Sequence, residues 1–357
     1  MKMDIKINLA EQLKARPADE SKLGFGKTFS DHMFAIDYSA AEGWHNARIQ
    51  PYQPYVIDPA SPVLHYGQEI FEGLKAYRTA DNQIQLFRPI ENARRMNRSA
   101  ERLCMPDLDP EFQVEAMKCL VEVEKEWVPR SAGTSLYLRP TMFGDGAVLG
   151  VHPAPVYHYF IITAPSGAYY ARGMAPVRIH IEDNYVRAVR GGVGYTKTGG
   201  NYAASLKAAA EASAKGFDQV LWLDGRENKY IEEVGAMNMM FVLGDTLVTP
   251  MLEGSILPGI TRDSVLTLAK DRGMKVEERR ISVEEILEAY EAGVLKEAFG
   301  TGTAAVISPV GELEYKGRQL IINNNEIGPV AKDLYQTLTA IQNGSAADPH
   351  DWIVKVC

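Results

Sequence analysis

The sequence lacks several features that would restrict its chemistry. Among 357 residues there are three cysteines, Cys104, Cys119 and Cys357, and none forms a CxxC pair. This odd number argues against a disulfide framework and favours free thiols, with Cys104 and Cys119 buried in helical, partly apolar stretches. A reducing cytoplasm therefore fits best. Neither an HExxH pattern nor a Cys/His cluster at zinc-ligand spacing is present, which argues against metal chemistry.

Long apolar runs and basic clusters are also missing. No stretch of about 18 uninterrupted apolar residues occurs, so we expect no membrane span. The amino-terminal segment MKMDIKINLAEQLKARPADE carries a charge every few residues and has no apolar core of signal-peptide length. The 38 lysines and arginines against 46 acidic residues give a net charge of −8, so we expect no nucleic-acid partner.

What remains is the composition of a globular protein, 46% hydrophobic and 24% charged. Its length exceeds what one hydrophobic core usually organises, so we predict two domains. The segment PSGAYYARGMAP (165–176), rich in small residues, is the best linker. We therefore predict a smaller amino-terminal α/β domain (1–170), a linker (171–176) and a larger carboxy-terminal domain (177–357).

Both halves mix strand and helix patterns, which predicts an α/β (α+β) fold rather than a bundle or a sandwich. In the first half we predict strands at 34–39, 75–79, 83–88, 134–143 and 156–163, and helices at 91–105 and 110–127. In the second half we predict strands at 177–182, 219–224 and 237–243, and helices at 201–216, 261–273 and 282–293. Ser282 and Glu285 form a capping box for the last helix, and Gly293 ends it.

Two glycine patterns resemble nucleotide-binding motifs, and neither is complete. Gly26-Lys27-Thr28 looks like the end of a P-loop, but Ser21 stands where the first glycine is required. FGTGTAA (299–305) fits the loose dinucleotide pattern, but the residues that follow predict a strand instead of a helix. A tight turn that offers backbone N–H groups to an anion remains possible there.

The segment GGVGYTKTGGNY (191–202) is the most informative, because it places Lys197 between glycines and just before a helix. A lysine in a loop is usually a solvated surface residue, and so is a glutamate such as Glu233. Taken together, however, Lys197, Tyr202, Glu233, the LPGIT turn (257–261) and GTGTA (300–304) meet the needs of pyridoxal phosphate (PLP). That cofactor requires an amine, an acid for its ring nitrogen, a donor for its phenolate oxygen and a phosphate site.

The sequence resembles the branched-chain amino acid aminotransferases of PLP fold type IV, which share the two-domain D-amino acid aminotransferase-like architecture. The resemblance runs along nearly the whole chain. Within the family, the sequence is most similar to the longer subfamily, which contains the mammalian enzymes. The resemblance is carried by FGKTFSDHM, LHYGQEIFEGLKAY, LFRP with ENARRM, SLYLRP, GGNYAASL, QVLWLDG, EEVGAMN, ILPGITRDSV, FGTGTAA and the final DPHDW.

The resemblance implies a role for each residue that binds the cofactor. Lys197 matches the lysine that binds PLP covalently and moves the substrate proton. Glu233 matches the carboxylate that keeps the ring nitrogen protonated, and Tyr202 matches the hydroxyl on the phenolate oxygen. The implied phosphate contacts come from Arg95, from the backbone amides of Ile260 and Thr261, and from Thr303. Arg187 is placed near the cofactor loop. Helix-terminus physics also suggests an anion site at Ile260-Thr261, because these residues follow Pro258-Gly259 and open a helix.

On the substrate side, the resemblance implies an apolar pocket and a second carboxylate site. The pocket wall corresponds to Phe25, Tyr66, Phe71, Tyr137 and Val151. Arg139, two residues after Tyr137 in a predicted strand, would share its face and could bind the γ-carboxylate of glutamate. Backbone amides near Thr303 and Ala304 would receive the α-carboxylate.

The implied assembly is a cytoplasmic homodimer with active sites near its interface, because in this family Tyr66 and Val151 reach the site from the second subunit. The implied reaction is reversible amino transfer between L-leucine, L-isoleucine or L-valine and 2-oxoglutarate, by a ping-pong cycle. PLP would lie between two lobes.

Two positions depart from the family. The mammalian redox CxxC would fall at Ala305 and Ser308, so that switch is absent, and Ala236 stands where relatives carry a threonine. D-amino acid transamination and aminodeoxychorismate lysis are the near alternatives on the same fold, although those chains usually lack the FGKTF and YLRP segments. From another class, a catalytically silent metabolite-binding protein is the alternative.

Overall fold

The computed structural model describes residues 3–167 and 174–357. The chain folds into two compact units. The first unit comprises Met1–Ala171, Thr196–Gly199 and Ala340–Cys357, and the second comprises Arg172–Tyr195 and Gly200–Thr339. Residues 171–173 of the predicted linker lie outside the described residues. The short segment that contains Lys197 thus belongs to the first unit, together with the carboxy terminus.

In the first unit, helices α1, α2 and α3 span Pro62–Tyr66, Pro89–Arg102 and Pro110–Val123. The strands are β1 (Lys6–Ile7), β2 (His32–Ser39), β3 (Gly43–Pro51), β4 (Glu69–Phe71), β5 (Leu74–Arg78), β6 (Ile84–Phe87), β7 (Ser135–Asp145), β8 (Val156–Ser166) and, at the carboxy terminus, β18 (Ile353–Lys355).

These strands form one sheet of nine described strands, in the order β1-β3-β2-β8-β7-β5-β6-β18, with β4 paired to β7. All the pairs are antiparallel except β1 with β3. Alternate residues of β8, Tyr157, Tyr159 and Ile161, are buried, as a strand with one covered face requires. Helices α2 and α3 supply Met96 and Phe112 to the same hydrophobic core.

In the second unit, the helices are α4 (Gly199–Ala203), which begins at the boundary between the units, α5 (Leu206–Ala214), α6 (Ile260–Asp271), α7 (Val283–Glu291) and α8 (Pro329–Gln342), which ends beyond it. The strands are β9 (Val177–Glu182), β10 (Gln219–Leu223), β11 (Ile231–Val234), β12 (Met237–Leu243), β13 (Thr246–Pro250), β14 (Lys275–Arg279), β15 (Leu295–Gly302), β16 (Val306–Tyr315) and β17 (Arg318–Ile321).

These strands form a second, mixed sheet of nine described strands in the order β11-β10-β9-β16-β15-β12-β13-β14, with β17 paired to β16. Strand β9 is parallel to both β10 and β16, while β12 is antiparallel to both β13 and β15. A small apolar cluster joins Ala208 and Ala212 of α5 to Val220 and Trp222 of β10. Parallel and antiparallel strands with packed helices confirm the predicted α/β (α+β) class.

Strand patterns, first-turn proline and helix-capping residues in the sequence correctly predicted the positions of several strands and helices. Strands 177–182 and 237–243 have the predicted bounds, and Pro110 opens α3 with the Asp109 carboxylate accepting from two backbone amides. The Ser282 side chain accepts from the Glu285 amide, and Gly293 follows α7 with φ of 67°, as the capping box and the stop signal predict.

Four local predictions were wrong. The helix predicted over 110–127 ends at Val123, and a separate 3-10 turn follows at Lys125–Trp127. The helix predicted over 201–216 is two helices, α4 and α5, separated at Ala204-Ser205. The helix predicted to reach residue 105 ends at Arg102. Cys104 follows that end in a left-handed conformation, with φ of 53°, and is exposed rather than buried. The thiol of Cys119 is partly buried, and all three cysteines are free.

Within residues 3–167 and 174–357, every helix is too short or too polar to traverse a lipid bilayer.

Candidate functional site

Lys197 is held by backbone contacts within the first unit. Its peptide N–H donates to Ser99 Oγ at 3.0 Å, and its carbonyl accepts from the Phe71 amide at 3.0 Å. The next residue, Thr198, forms an isolated antiparallel bridge with Ile70. The segment is therefore fixed on both sides of the lysine. These contacts fix the backbone position from which the Lys197 side chain extends. Its Nζ lies 4.6 Å from the centre of the Phe71 ring.

Gly199 explains why glycine follows the lysine so closely. A Cβ atom at this position would lie 1.8 Å from Oε1 of Glu69. Such an approach is impossible for any residue with a side chain unless Glu69 moves. The glycine therefore lets the chain pass directly beside β4, the strand that also carries Phe71.

Beside Lys197, the first unit contains a buried ion pair between Arg95 and Glu72. Arg95 Nε donates to Glu72 Oε1 at 2.7 Å and Nη2 donates to Oε2 at 2.9 Å, while Asn92 Nδ2 donates to Oε2 at 2.8 Å. Burial works to raise the pKa of Glu72. The charges of Arg95 and Lys197 and the Asn92 hydrogen bond outweigh burial and hold that pKa below its ordinary value.

Four of the predicted substrate residues also contact one another in the first unit. The rings of Phe25 and Tyr137 meet edge to face with centroids 4.9 Å apart. Arg139 Nη2 donates to the Tyr137 hydroxyl at 3.0 Å, and its guanidinium carbon lies 4.6 Å from the centre of the Phe71 ring. Gly73 leaves room for this arrangement, since a Cβ there would lie 1.9 Å from the Tyr137 oxygen. The group combines apolar rings with one guanidinium.

Two further predicted substrate residues, Tyr66 and Val151, lie in exposed positions of the first unit. Tyr66 is 44% exposed and Val151 is 88% exposed. The Tyr66 hydroxyl accepts from the Gly150 amide at 3.0 Å, which ties α1 to the loop that carries Val151. Leu64 and Leu149 are also exposed, so this surface, defined by Leu64, Tyr66, Leu149 and Val151, presents four apolar side chains.

In the second unit, Glu233 and Arg187 form a buried pair. Glu233 Oε1 accepts from the Leu257 amide at 2.7 Å and lies 3.3 Å from Arg187 Nη2. Arg187 also donates to the carbonyl oxygens of Gly194, at 3.1 Å, and Ser255. These contacts hold the carboxylate in place on β11. Two carbonyls and one carboxylate already surround the Arg187 guanidinium, so its geometry suits positioning Glu233.

The predicted anion-binding segments of the second unit are a helix start and a turn. Helix α6 begins at Ile260 as predicted, and its cap residue Gly259 supplies no side-chain hydrogen bond to the first turn. The amides of that turn belong to Ile260 and to Thr261, which is buried. A helix start without a side-chain cap suits an anion.

Thr303 and Ala304 lie in the turn between the antiparallel strands β15 and β16, so the strand predicted after FGTGTAA is confirmed. This turn passes close to the β11–β12 hairpin, since a Cβ at Gly302 would lie 4.0 Å from the carbonyl of Ala236. Ala236, the position where relatives carry threonine, is exposed at the tip of that hairpin. Tyr202 is partly buried on α4.

Several buried polar atoms lack a hydrogen-bond partner within the described residues. They include Thr198 Oγ1 in the first unit, and Thr301 Oγ1 and Ser308 Oγ on the paired strands β15 and β16 in the second. Buried polar groups are almost always hydrogen-bonded, so such atoms indicate places where a ligand or water supplies the partner. These three lie next to Lys197 or beside the GTGTA turn.

Sequence reasoning missed several residues that the structure places next to the predicted ones. Glu72 and Ser99 contact Arg95 and Lys197, and Ser255 contacts Arg187. No local pattern marks these three. Glu232 is a different case, because the sequence shows two consecutive glutamates beside apolar residues, and the structure buries both of them on β11.

Known proteins resemble this chain over its whole length. The model of the family "amino-transferase class IV" matches residues 69–313. Branched-chain-amino-acid aminotransferase 2 of Bacillus subtilis is 52% identical over 355 residues, which cover 99% of this chain and 98% of that protein.

Solved structures give the same result. The crystal structure of a branched-chain amino acid aminotransferase from Escherichia coli has a TM-score of 0.76 and 27% identity, covering 92% of this chain and 99% of that one. The T.th. branched-chain amino acid aminotransferase, complexed with N-(5'-phosphopyridoxyl)-L-glutamate, has a TM-score of 0.73 and 29% identity, covering 91% and 98%.

Proposed function

This chain belongs to the class IV aminotransferases, and from that premise we propose that it exchanges amino groups between branched-chain L-amino acids and 2-oxoglutarate. The relatives that match its full length at 52% identity are branched-chain-amino-acid aminotransferases, and the predicted family and fold are confirmed. The cofactor is pyridoxal phosphate in this proposal. A related structure contains a phosphopyridoxyl-glutamate adduct, which joins that cofactor to an amino acid.

The residues present fit this cofactor by the chemistry of their donors. The first unit offers the Lys197 amine, and the second offers the Glu233 carboxylate and a helix start without a side-chain cap. The hydroxyls of Thr198, Thr301 and Ser308, which have no partner among the described residues, lie near these groups or the GTGTA turn in sequence. When bound, pyridoxal phosphate supplies an aldehyde for covalent attachment and a ring that accepts electrons from the substrate Cα.

Lys197 holds the cofactor and carries the proton in this proposal. Its Nζ would accept the proton from the substrate Cα as a base and then donate it, as an acid, on the cofactor side of the amino nitrogen. Both of its peptide groups are bonded, to Ser99 and Phe71, so the amine moves on a fixed backbone. That anchorage is the single structural observation that supports the assignment most directly.

Glu233 keeps a proton on the ring nitrogen of the cofactor. Its carboxylate is held by the Leu257 amide and by Arg187, which acts through Glu233 as a positioning residue. Tyr202 donates to the phenolate oxygen. The phosphate is received by Arg95, by Thr303 and by the amides of Ile260 and Thr261.

The substrate side chain meets the group of Phe25, Phe71 and Tyr137, which suits leucine, isoleucine and valine. Arg139 binds the γ-carboxylate of glutamate, the second amino donor. Its Nη2 donates to the Tyr137 hydroxyl, which orients the guanidinium, and a guanidinium is the side-chain group best suited to a carboxylate. The α-carboxylate is received by backbone amides near Thr303 and Ala304.

We also propose a homodimer with active sites near its interface. The support is the surface of Leu64, Tyr66, Leu149 and Val151, because groups of exposed apolar side chains commonly mark interfaces and the Tyr66–Gly150 hydrogen bond joins the two segments that carry these four. Analytical ultracentrifugation of the Val151→Asp variant should show dissociation at concentrations where the parent protein is dimeric. Leu206→Asp, at an exposed apolar position on α5, is the control and should leave the mass unchanged.

A cytoplasmic location is part of the proposal, supported by three free cysteines.

The test of the proposed function is an absorbance titration of the purified protein with L-leucine and then with 2-oxoglutarate. Leucine should bleach the yellow band of the lysine-bound cofactor, and 2-oxoglutarate should restore it. D-alanine and aminodeoxychorismate serve as comparison substrates. Bleaching by D-alanine but not by leucine, or protein that stays colourless after reconstitution with the cofactor, would contradict the proposal.

A further inference from the structure

A pocket in the second unit lies next to the Arg187–Glu233 pair, and the proposed function makes no use of it. Its wall is built by Arg190, by the turn 224–227, by Tyr230-Ile231-Glu232, by the loop 250–256 and by Arg280. The cavity volume that the centres of water molecules can occupy is about 70 Å³. One water needs about 10–15 Å³ by this measure, so the pocket admits several waters.

Glu232 lines this pocket and is 6% exposed. Its Oε1 accepts a hydrogen bond from the Ser255 hydroxyl, while its Oε2 is buried and has no partner among the described residues. Buried carboxyl oxygens are rarely left without a partner. Oε2 is therefore the atom at which a proton and a pocket water would be accommodated.

Ser255 connects this carboxyl group to Glu233. Its hydroxyl donates to Glu232, and its carbonyl accepts from the same Arg187 nitrogen that lies 3.3 Å from Glu233. Glu232 and Glu233 are also adjacent on β11. Successive strand residues point to opposite faces of the sheet, so Arg187 contacts Glu233 directly and acts on Glu232 only through its charge. Ionising Glu232 places a second negative charge near this one buried guanidinium, which is electrostatically costly.

The charges that face Glu232 are distributed over several segments. Those that act on its ionisation are Arg187, Glu233 and Asp224, and the pocket wall adds Arg190, Arg226, Glu227, Glu253 and Arg280. Arg190 and Arg280 are both paired with Glu253, so much of their charge is already compensated. Burial raises the pKa of Glu232 to about 7, with Glu233 and Asp224 adding to the rise and Ser255 and Arg187 opposing it.

We propose that Glu232 is a positioning residue that stores a proton next to Glu233 and thereby sets how much of the Arg187 charge Glu233 receives. When Glu232 ionises, its Oε2–H bond breaks and an O–H bond forms on a pocket water, which passes a proton on to bulk solvent. Protonation is the reverse of this transfer, and no other bond changes. With Glu232 neutral, Arg187 compensates Glu233 alone. With Glu232 ionised, Arg187 divides between two carboxylates, and Glu233 holds a proton on the cofactor nitrogen more strongly. The inference rests on the proposed function through this last step.

The test compares Glu232→Gln with Glu227→Gln, an exposed glutamate that lines the same pocket. The absorbance of the bound cofactor in the holoenzyme is followed without substrate as pH is raised from about one unit below to about one unit above 7. The parent protein and Glu227→Gln should share a spectral step near that midpoint. Glu232→Gln, which mimics the neutral acid, should lack the step. An unchanged step in Glu232→Gln overturns the inference.

A second variant guards against loss of folding. Ser255→Ala keeps the carboxyl group and removes a hydrogen bond that favours its ionised form, so the midpoint should rise, by roughly half a unit. A midpoint that falls or stays unchanged contradicts the proposal.

Infrared difference spectra of the same samples across this pH range separate the two proposals. A protonated carboxyl band that disappears with rising pH in the parent protein, and is missing in Glu232→Gln, shows the stored proton directly. This band does not depend on cofactor chemistry, so colourless protein would contradict the proposed function and leave this measurement intact. Absence of the band from the parent protein contradicts the inference.

Discussion

In the first unit Glu72 is buried with two hydrogen bonds from Arg95, one from Asn92 and one from the Gly73 amide, whereas in the second unit Glu232 is buried with one hydrogen bond, from Ser255. The pKa of Glu72 is held below its ordinary value, and burial raises that of Glu232 to about 7. Both side chains are shielded from water to a similar degree. The charge of the neighbours, more than burial, therefore decides whether each remains ionised, because Glu72 faces a guanidinium whereas Glu232 bonds a neutral hydroxyl and has Glu233 and Asp224 nearby.

This contrast corresponds to different chemical uses. Near Lys197 the first unit has an ion pair whose glutamate has a lowered pKa, so the pair stays charged through the neutral pH range and gives the amine a constant electrostatic environment there. Around Glu233 the second unit has one guanidinium, that of Arg187, and a second acidic group, Glu232. Because the pKa of Glu232 is raised to about 7, the net charge around Glu233 changes near neutral pH. The first arrangement suits covalent attachment of the proposed cofactor to Lys197. The second suits adjustment of how strongly Glu233 holds the proton on the cofactor's ring nitrogen.

Replacing Lys197 should have the largest effect. Lys197→Ala removes the proposed proton carrier, and proton transfer alone contributes roughly 10²–10⁴-fold to a rate. We expect at least that loss in the leucine–2-oxoglutarate reaction, together with loss of the absorbance band of the lysine-bound cofactor. Lys207→Ala, an exposed lysine on α5 paired with Glu211, is the control. A variant at 197 that kept the covalent band would refute the assignment.

Breaking the ion pair tests the first half of the contrast. Glu72→Gln leaves Arg95 buried with an incomplete set of acceptors, and removing one member of a buried pair typically costs about 3–5 kcal/mol. The free energy of unfolding by denaturant should fall by that order. The matched control is Glu91→Gln, which breaks the exposed Arg94–Glu91 pair on the same helix and should cost less than about 1 kcal/mol. Equal losses would mean that Glu72 contributes no more than a surface charge.

The pH dependence of stability should have opposite signs for the two glutamates. The folded protein binds the Glu232 proton more tightly than the unfolded chain does, so the contribution of Glu232 falls as pH rises from about 4.5 to about 7. The Glu72 contribution is present above about pH 4.5 and is lost as pH falls further, because its pKa is lowered.

Unfolding free energies measured at a series of pH values check both signs. Glu232→Gln should be more stable than the parent protein above pH 7, by about 3 kcal/mol at most, and the advantage should vanish near pH 4.5. Glu227→Gln should follow the parent protein throughout. A constant difference between Glu232→Gln and the parent protein would exclude a titrating carboxyl group.

The contrast could not have been predicted from the sequence, although much of the fold could. Runs of strand-forming residues located β9 and β12, Pro110 located the start of α3, and a capping box located α7, because these signals act over a few residues. The charge partners are 23 residues apart for Glu72 and Arg95, and 46 apart for Arg187 and Glu233. Pairing at such separations depends on strand order, which local periodicity does not encode.

The candidate site shows the same division. The resemblance to a family identified Lys197, Glu233, Tyr137 and Arg139, but not which neighbour holds each. Only the structure places the Lys197 segment with the first unit, between Ser99 and Phe71. The break between α4 and α5 was also missed, since the alanine-rich composition favours one continuous helix and local propensity gives no sign of the interruption.

The smallest expected effect concerns substrate selection by the first unit, where Arg139 donates to the Tyr137 hydroxyl at 3.0 Å. Tyr137→Phe keeps the ring that contacts Phe25 and removes only this acceptor, a change worth about 1 kcal/mol, or roughly fivefold in an equilibrium constant. Because Arg139 is proposed to bind the γ-carboxylate, KM for glutamate should rise by about that factor, while KM for leucine should change little. A similar rise for both substrates would mean that the hydroxyl supports the apolar wall and not the arginine. An unaltered glutamate KM would show that Arg139 needs no help from Tyr137, and its orientation would then rest on its contact with the Phe71 ring.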